Sequence, residues 1–176
     1  MADKFLRVDP TLNVPAELEA TTVSTGVASA GDIVALGADG KLDLSVMPTG
    51  IGADVAVIEA SETLAAGDYV NIYDDGGTPA CRKADASAAN AAEIAHGFVK
   101  DNVTLGANAT VYFEGTNDDL TSLVPGTTYV LSHTTPGGVV AQASGTTTAG
   151  HSLQVVGVAI STTAINTELG KPIIRG

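Results

Sequence analysis

Tryptophan is absent from this 176-residue sequence, aromatics make up only 4% of it, and there is a single cysteine, Cys81. One cysteine excludes an internal disulfide and any cysteine-based zinc centre. So few aromatics leave little from which to build the stacking platforms of a glycan site. Cations are scarce as well: 8 Lys and Arg stand against 20 Asp and Glu, for a net charge of -12. That balance argues against a nucleic-acid binder, which needs clustered cations to neutralise phosphates, and against docking on an anionic membrane. No apolar run approaches the roughly 18 residues of a membrane-spanning helix. The longest strongly apolar stretch is "VVGVAI", Val155 to Ile160. The first residues, "MADKFLRVD", lack the charged-then-apolar plan of a secretion signal, so the chain is expected in the cytosol where it is made, with the sequons at Asn102 and Asn108 unused.

What is present is a chain with 44% hydrophobic residues, mostly Ala, Val, Leu and Ile, and 20 glycines. From residue 54 onward, short strand-like runs alternate with Gly/Pro turns. The runs are "ADVAVIEA", "DYVNIY", "AHGFV", "ATVYFEG", "TYVLS", "GVVAQ", "LQVVGVAIS" and "KPIIRG"; "DDGGTP", "LVPGT" and "TTPGG" are among the turns. Many short strands between tight turns predict an all-β domain, a small β-barrel or sandwich, over 54–176. The one helix-like stretch, "ASAANAAEIA", reads better as a loop of small residues. A weak internal duplication runs through the domain. "LAAGDYV" (Leu64 to Val70) matches "LVPGTTYV" (Leu123 to Val130). Each copy then shows a double glycine (Gly76-Gly77, Gly137-Gly138) and a glycine inside an apolar strand (Gly97, Gly157). Two pseudo-equivalent halves closing one barrel or sandwich is the economical reading.

The first 53 residues differ in texture. Two early prolines precede a run of small and hydroxyl residues, with a short helical turn predicted at "AELEA" after Pro15. Farther on, "AGDIVALGADGKLDLSVMPTGIG" (Ala30 to Gly52) offers a strand "DIVAL", the turn pair Asp39-Gly40 and a second short stretch "KLDLS". That is the pattern of a small hairpin at 31–46, with "MPTGIG" as a hinge. An isolated hairpin is marginal in water, so its apolar residues want burial on something else.

Catalytic patterns are missing. Asp74-Asp75 and Asp118-Asp119 are adjacent acids that point different ways on an extended chain, and they make no acid/base pair by themselves. A small hydrolase would need these turns to meet across a groove. His96, His133 and His151 show no metal-ligand spacing and read as scattered turn residues. "GADGK" fails the phosphate-loop pattern twice, at Ala35 and at Leu42. Cys81 reads as a small residue facing a barrel interior. The expectation is a non-enzymatic chain with no catalytic, metal or cofactor-binding residues.

Two stretches resemble tailed-bacteriophage virion proteins of the capsid decoration, or cement, class. One is the Ala30–Gly52 segment. The other is the ordered series "LAAGDYVNIYDDGG", "CRKADAS", "HGFV", "GANATVYFEG", "LVPGTTYVLS", "TPGGVVAQ" and "GHSLQVVGVAIST". The resemblance covers residues 26–176. It implies a β-tulip-like domain with an extended N-terminal arm, bound to the outer surface of the major capsid protein lattice and stabilising it. It also implies a homo-oligomer, most simply a trimer, located on the virion. The arm residues taken as partner-binding are Phe5, Leu6, Val8, Ile33, Val34, Leu36, Leu42, Leu44 and Met47. A head-fibre or tail-associated protein contacting host glycans is the alternative, since the same module type occurs there.

Overall fold

Lys4–Val8 (β1) and Pro15–Glu19 (β2) pair as an antiparallel ribbon in the register Lys4↔Glu19 to Val8↔Pro15. The computed structural model describes residues 4–8, 11, 13–47, 54–89 and 92–176. The chain divides into two units, residues 1–52 and 53–176. The helical turn expected at "AELEA" is therefore strand β2. Five residues are too few to nucleate a helix without packing, and the ladder to β1, with the Lys4–Glu17 ion pair at 3.2 Å, supplies an alternative.

The hairpin expected at 31–46 is not formed. Its turn exists: the Gly37 N–H donates to the Lys41 carbonyl at 2.8 Å, and Gly40 has φ +73. The flanks do not pair with each other, however. Thr21 donates to the Ile33 carbonyl and accepts from the Ala35 N–H, so Val34 forms a parallel bridge with Thr21 instead. Thr21 Oγ1 also bonds the Asp32 carboxylate at 2.8 Å. Leu44–Val46 is a 3-10 turn rather than a strand. Local turn chemistry was satisfied while the strand partner came from an earlier segment. The hinge residues after Met47 lie outside the described residues.

Residues 54–176 are all-β. Val55–Ala60 (β3), Tyr69–Asp75 (β4), Thr78–Lys83 (β5), Gly97–Val99 (β6) and Asn108–Tyr112 (β7) form a closed barrel in the order β3-β5-β4-β6-β7. Closure is through a parallel seam, Glu59↔Ala80 and Ala60↔Cys81. Gly115–Asn117 (β8), Thr128–Leu131 (β9), Val139–Ala141 (β10), Val155–Ala159 (β12) and Ile165–Thr167 (β13) form an open sheet in the order β10-β9-β12-β13-β8. Ser152–Leu153 (β11) pairs with Ile173–Ile174 (β14). Among the described residues of "ASAANAAEIA" there are turns and no α-helix.

The two sets repeat one plan. In each, the first strand pairs with the last, and the second strand sits between the third and fourth. Gly67 and Gly126 occupy matching corners, donating to the carbonyls of Val99 and Ala159, both at 2.8 Å. The halves do not close one barrel together; the first closes alone. In the second, the hairpin of β9 and β10 is shorter, and its turn meets the first half: the Tyr69 N–H donates to Gly137 and the Gly137 N–H donates to Ala84. A Cβ on Gly137 would lie 2.7 Å from the Asp68 carboxylate. The two double glycines are thus not equivalents. Gly76-Gly77 is a two-residue hairpin turn with φ +64 and +94, the type that demands positive φ at both positions.

Two cores result. Alternate residues of the first-half strands point inward, so Ile58, Val70, Cys81, Val99 and Val111 fill the barrel together with Leu64 from the β3–β4 connection. The opposite faces present Tyr69 and Phe98 to Tyr129, Leu131, Val156 and Ile165 of the second sheet. Tyr69 OH shares a hydrogen bond with Thr167 Oγ1 at 3.1 Å, and Asn117 Nδ2 donates to the Gly67 carbonyl at 2.9 Å. A strand buried on both faces belongs to both cores, which makes 53–176 one folding unit.

Candidate functional site

Burial separates the two units sharply. Among the described residues, every buried apolar one lies at or beyond Ala60, whereas ten of the 17 exposed large apolar side chains lie within 4–47. No described side chain of residues 4–47 is buried. The front unit has hydrogen-bonded local structure but no core.

The arm residues distribute as follows. Phe5, Ile33, Val34 and Leu36 come together with Ala20 and Lys4 along a groove of about 410 Å³. Phe5 is half-buried there, while Ile33, Val34 and Leu36 remain exposed. Leu6 and Val8 alternate with Phe5 along β1 and are exposed at 74% and 57%. Leu42 lines a second groove of about 420 Å³ with Val23, Asp39 and Lys41. Leu44 opens the 3-10 turn, and Met47 is half-buried. Sequence reasoning passed over Val14, Leu18, Val23 and Val27, all exposed, Val27 at 93%. Their signal was an apolar residue in a segment with no period, which only a three-dimensional count of burial reveals.

The acidic turns do local work. Asp74 Oδ1 accepts from the Gly77 N–H at 2.9 Å and closes the hairpin. Asp118 accepts from Lys100 at 3.0 Å, and that hydrogen bond holds its carboxyl below the usual range. No group of three or more His, Cys, Asp or Glu is placed to hold a metal among the described residues. Cys81 has no exposed surface, and burial, with the nearby Glu62 charge, pushes its thiol up. A thiol held neutral is a poor nucleophile and metal ligand.

His96 has a structural task. Its Nδ1 accepts the Ile72 N–H at 2.9 Å, so that nitrogen must be unprotonated, and burial lowers its pKa. A histidine whose folded pKa lies below the unfolded value of about 6.5 costs stability as it is forced to charge. Stability should be level above about pH 6.5, fall as the pH drops below that value, and level off beneath the folded pKa. Urea unfolding at pH 8 and pH 5 checks this. The loss on acidification should be smaller in His96→Asn, whose amide oxygen keeps an acceptor near the Nδ1 position without titrating. Equal losses in the two proteins would remove His96 from the effect.

No family model and no curated protein matches the chain.

Proposed function

We propose that the protein is a non-enzymatic decoration protein of a tailed-phage head. The front unit, within residues 1–53, seats on the outer surface of the major capsid protein lattice, and the β-domain of 54–176 is displayed. The observation that carries this reading is the inverted burial of the front unit. A segment with ordered hydrogen bonds and, among its described residues, ten exposed large apolar side chains and no buried one has the composition of an interface, not of a free domain. The motif resemblance names the partner class. A net charge of -12 suits a chain that must stay soluble until it meets its surface.

The energetic requirement is modest. Many copies on one shell reinforce the lattice through contacts repeated over its surface, and two-strand ribbons order readily when a partner completes their hydrophobic face. A homo-oligomer, with a trimer as its simplest form, would add avidity by presenting several front units to neighbouring capsid subunits. The test is co-sedimentation of the purified chain with phage heads that lack it. Saturable binding at fixed copy number supports the reading. Absence of binding to heads, together with a specific hit on a host glycan array, would move the protein to the fibre or tail class.

A further inference from the structure

We propose that His133 and His151 form a two-imidazole site for a divalent transition metal of the zinc or copper class. His133 lies in the turn that follows β9, and His151 immediately precedes β11. Nothing in their sequence spacing unites them, yet their rings stand 6.5 Å apart, centroid to centroid, tilted by 46°. A metal bound at about 2.1 Å to a ring nitrogen lies about 3.2 Å from the ring centroid, so two imidazoles sharing one ion sit about 5 Å apart at a tetrahedral angle and about 6.4 Å apart when trans. The observed separation lies about 0.1 Å beyond the trans limit of that span, so the pair is slightly too open and binding requires the two rings to swing toward each other.

The pair is also held in place. Ser132 Oγ accepts from the N–H groups of Thr134 and Thr135 at 3.1 and 2.9 Å, which fixes the turn carrying His133. The His151 N–H donates to the Thr148 carbonyl, and its own carbonyl accepts from the Arg175 N–H. Thr146, which is buried, lies with its Oγ1 3.0 Å from His151 Nδ1. A hydrogen bond on one ring nitrogen is the usual device that aims the other at a metal. On His133, Nδ1 is buried without a hydrogen-bond partner, one of two such side-chain atoms among the described residues. A buried polar atom left unpaired calls for an explanation, and a bound ion is one.

The ligand set selects the metal. Among the described residues no third His, Cys, Asp or Glu completes it, so water takes the remaining positions. Neutral imidazoles favour zinc and copper over calcium and magnesium, which want oxygen. The bound ion would tie the turn after β9 to the β11–β14 pair that carries the C-terminal strand.

The experiment titrates EDTA-treated full-length protein with ZnCl2 and with CuCl2 by calorimetry and follows the melting temperature. One equivalent per chain should bind and raise the melting temperature, and His133→Gln and His151→Gln should each weaken binding at least about tenfold. His96→Gln should bind like the wild type. On the unmutated protein, the Cu2+ EPR spectrum should show coupling to two imidazole nitrogens, a readout independent of whether any variant folds. Absence of binding at about 0.1 mM of either metal would overturn the proposal. So would a copper spectrum with fewer than two imidazoles, or affinity unchanged in both variants.

Discussion

Replacing Ile33, Val34 and Leu36 together by aspartate is expected to weaken binding to phage heads by at least about 100-fold. These three side chains line one groove with Phe5 and are 50%, 46% and 56% exposed. Covering the exposed half of an aliphatic side chain is worth about 1 kcal/mol, so three contribute about 3 kcal/mol, which is about 150-fold in a dissociation constant. Aspartate adds a second penalty, since a carboxylate brought into an apolar contact must be desolvated. Stability of the β-domain should not change, because none of the three belongs to either of its cores. The matched control is Val158→Asp with Ile160→Asp, two exposed apolar positions at 42% and 58% in the β-domain. That pair should bind heads as the wild type does. If the triple variant decorates to full occupancy, the groove is not the contact.

Gly157→Ala is expected to destabilise the β-domain by about 4 kcal/mol, combining strain and overpacking costs of about 1–3 kcal/mol each. Gly157 sits where β12 slips register against β9: Val155 pairs with Val130 and Gly157 with Tyr129, leaving Val156 as the extra residue of a bulge. Its φ is +148, and a Cβ there would lie 2.1 Å from the Asn166 carbonyl oxygen and 2.7 Å from Ile165 Cγ2. The obstruction is backbone, so it cannot rotate away. For a domain of this size the melting temperature should fall by about 15 °C. Gly76→Ala gives the contrast. Gly76 has φ +64 at the hairpin tip with nothing within 4 Å of a Cβ, so only the left-handed backbone penalty of about 1–2 kcal/mol applies. Equal melting shifts for the two variants would refute the role assigned to the bulge.

Strands with their own apolar alternation were legible from sequence: β3, β4, β7, β9 and β12 each carry at least two inward Val, Ile, Leu, Ala or Tyr. The strands that escaped are polar and short. Thr78–Lys83 contains Pro79, Arg82 and Lys83, Gly115–Asn117 reads "GTN", and Ile165–Thr167 reads "INT". They are strands because neighbours already in place offer them ladders, a tertiary cause that local propensity does not carry. The same reason explains the front. A good turn at Gly37–Lys41 invited a hairpin, while the real partner of "DIVAL" was Thr21. The duplication was visible in "LAAGDYV" and "LVPGTTYV". Which half closes was not, since the seam is the parallel pairing of Glu59 with Ala80 and Ala60 with Cys81, strands far apart in local pattern.

For the site, the sequence picked out apolar residues without local partners, and the groove formed by Phe5, Ile33, Val34 and Leu36 required the fold. The proximity of His133 and His151 was invisible beforehand. It rests on the pairing of Ser152 with Ile174 and on the hydroxyl of Thr146, neither of which leaves a spacing to read.

The most direct measurement is a cryo-electron map of heads saturated with the protein. The front unit should be found against the capsid lattice, with Ile33, Val34 and Leu36 covered by capsid protein and the barrel of β3 to β7 projecting outward. Density showing the β-domain seated on the lattice and the front unit in solvent, or heads with no added density at saturating protein, would contradict the proposed role.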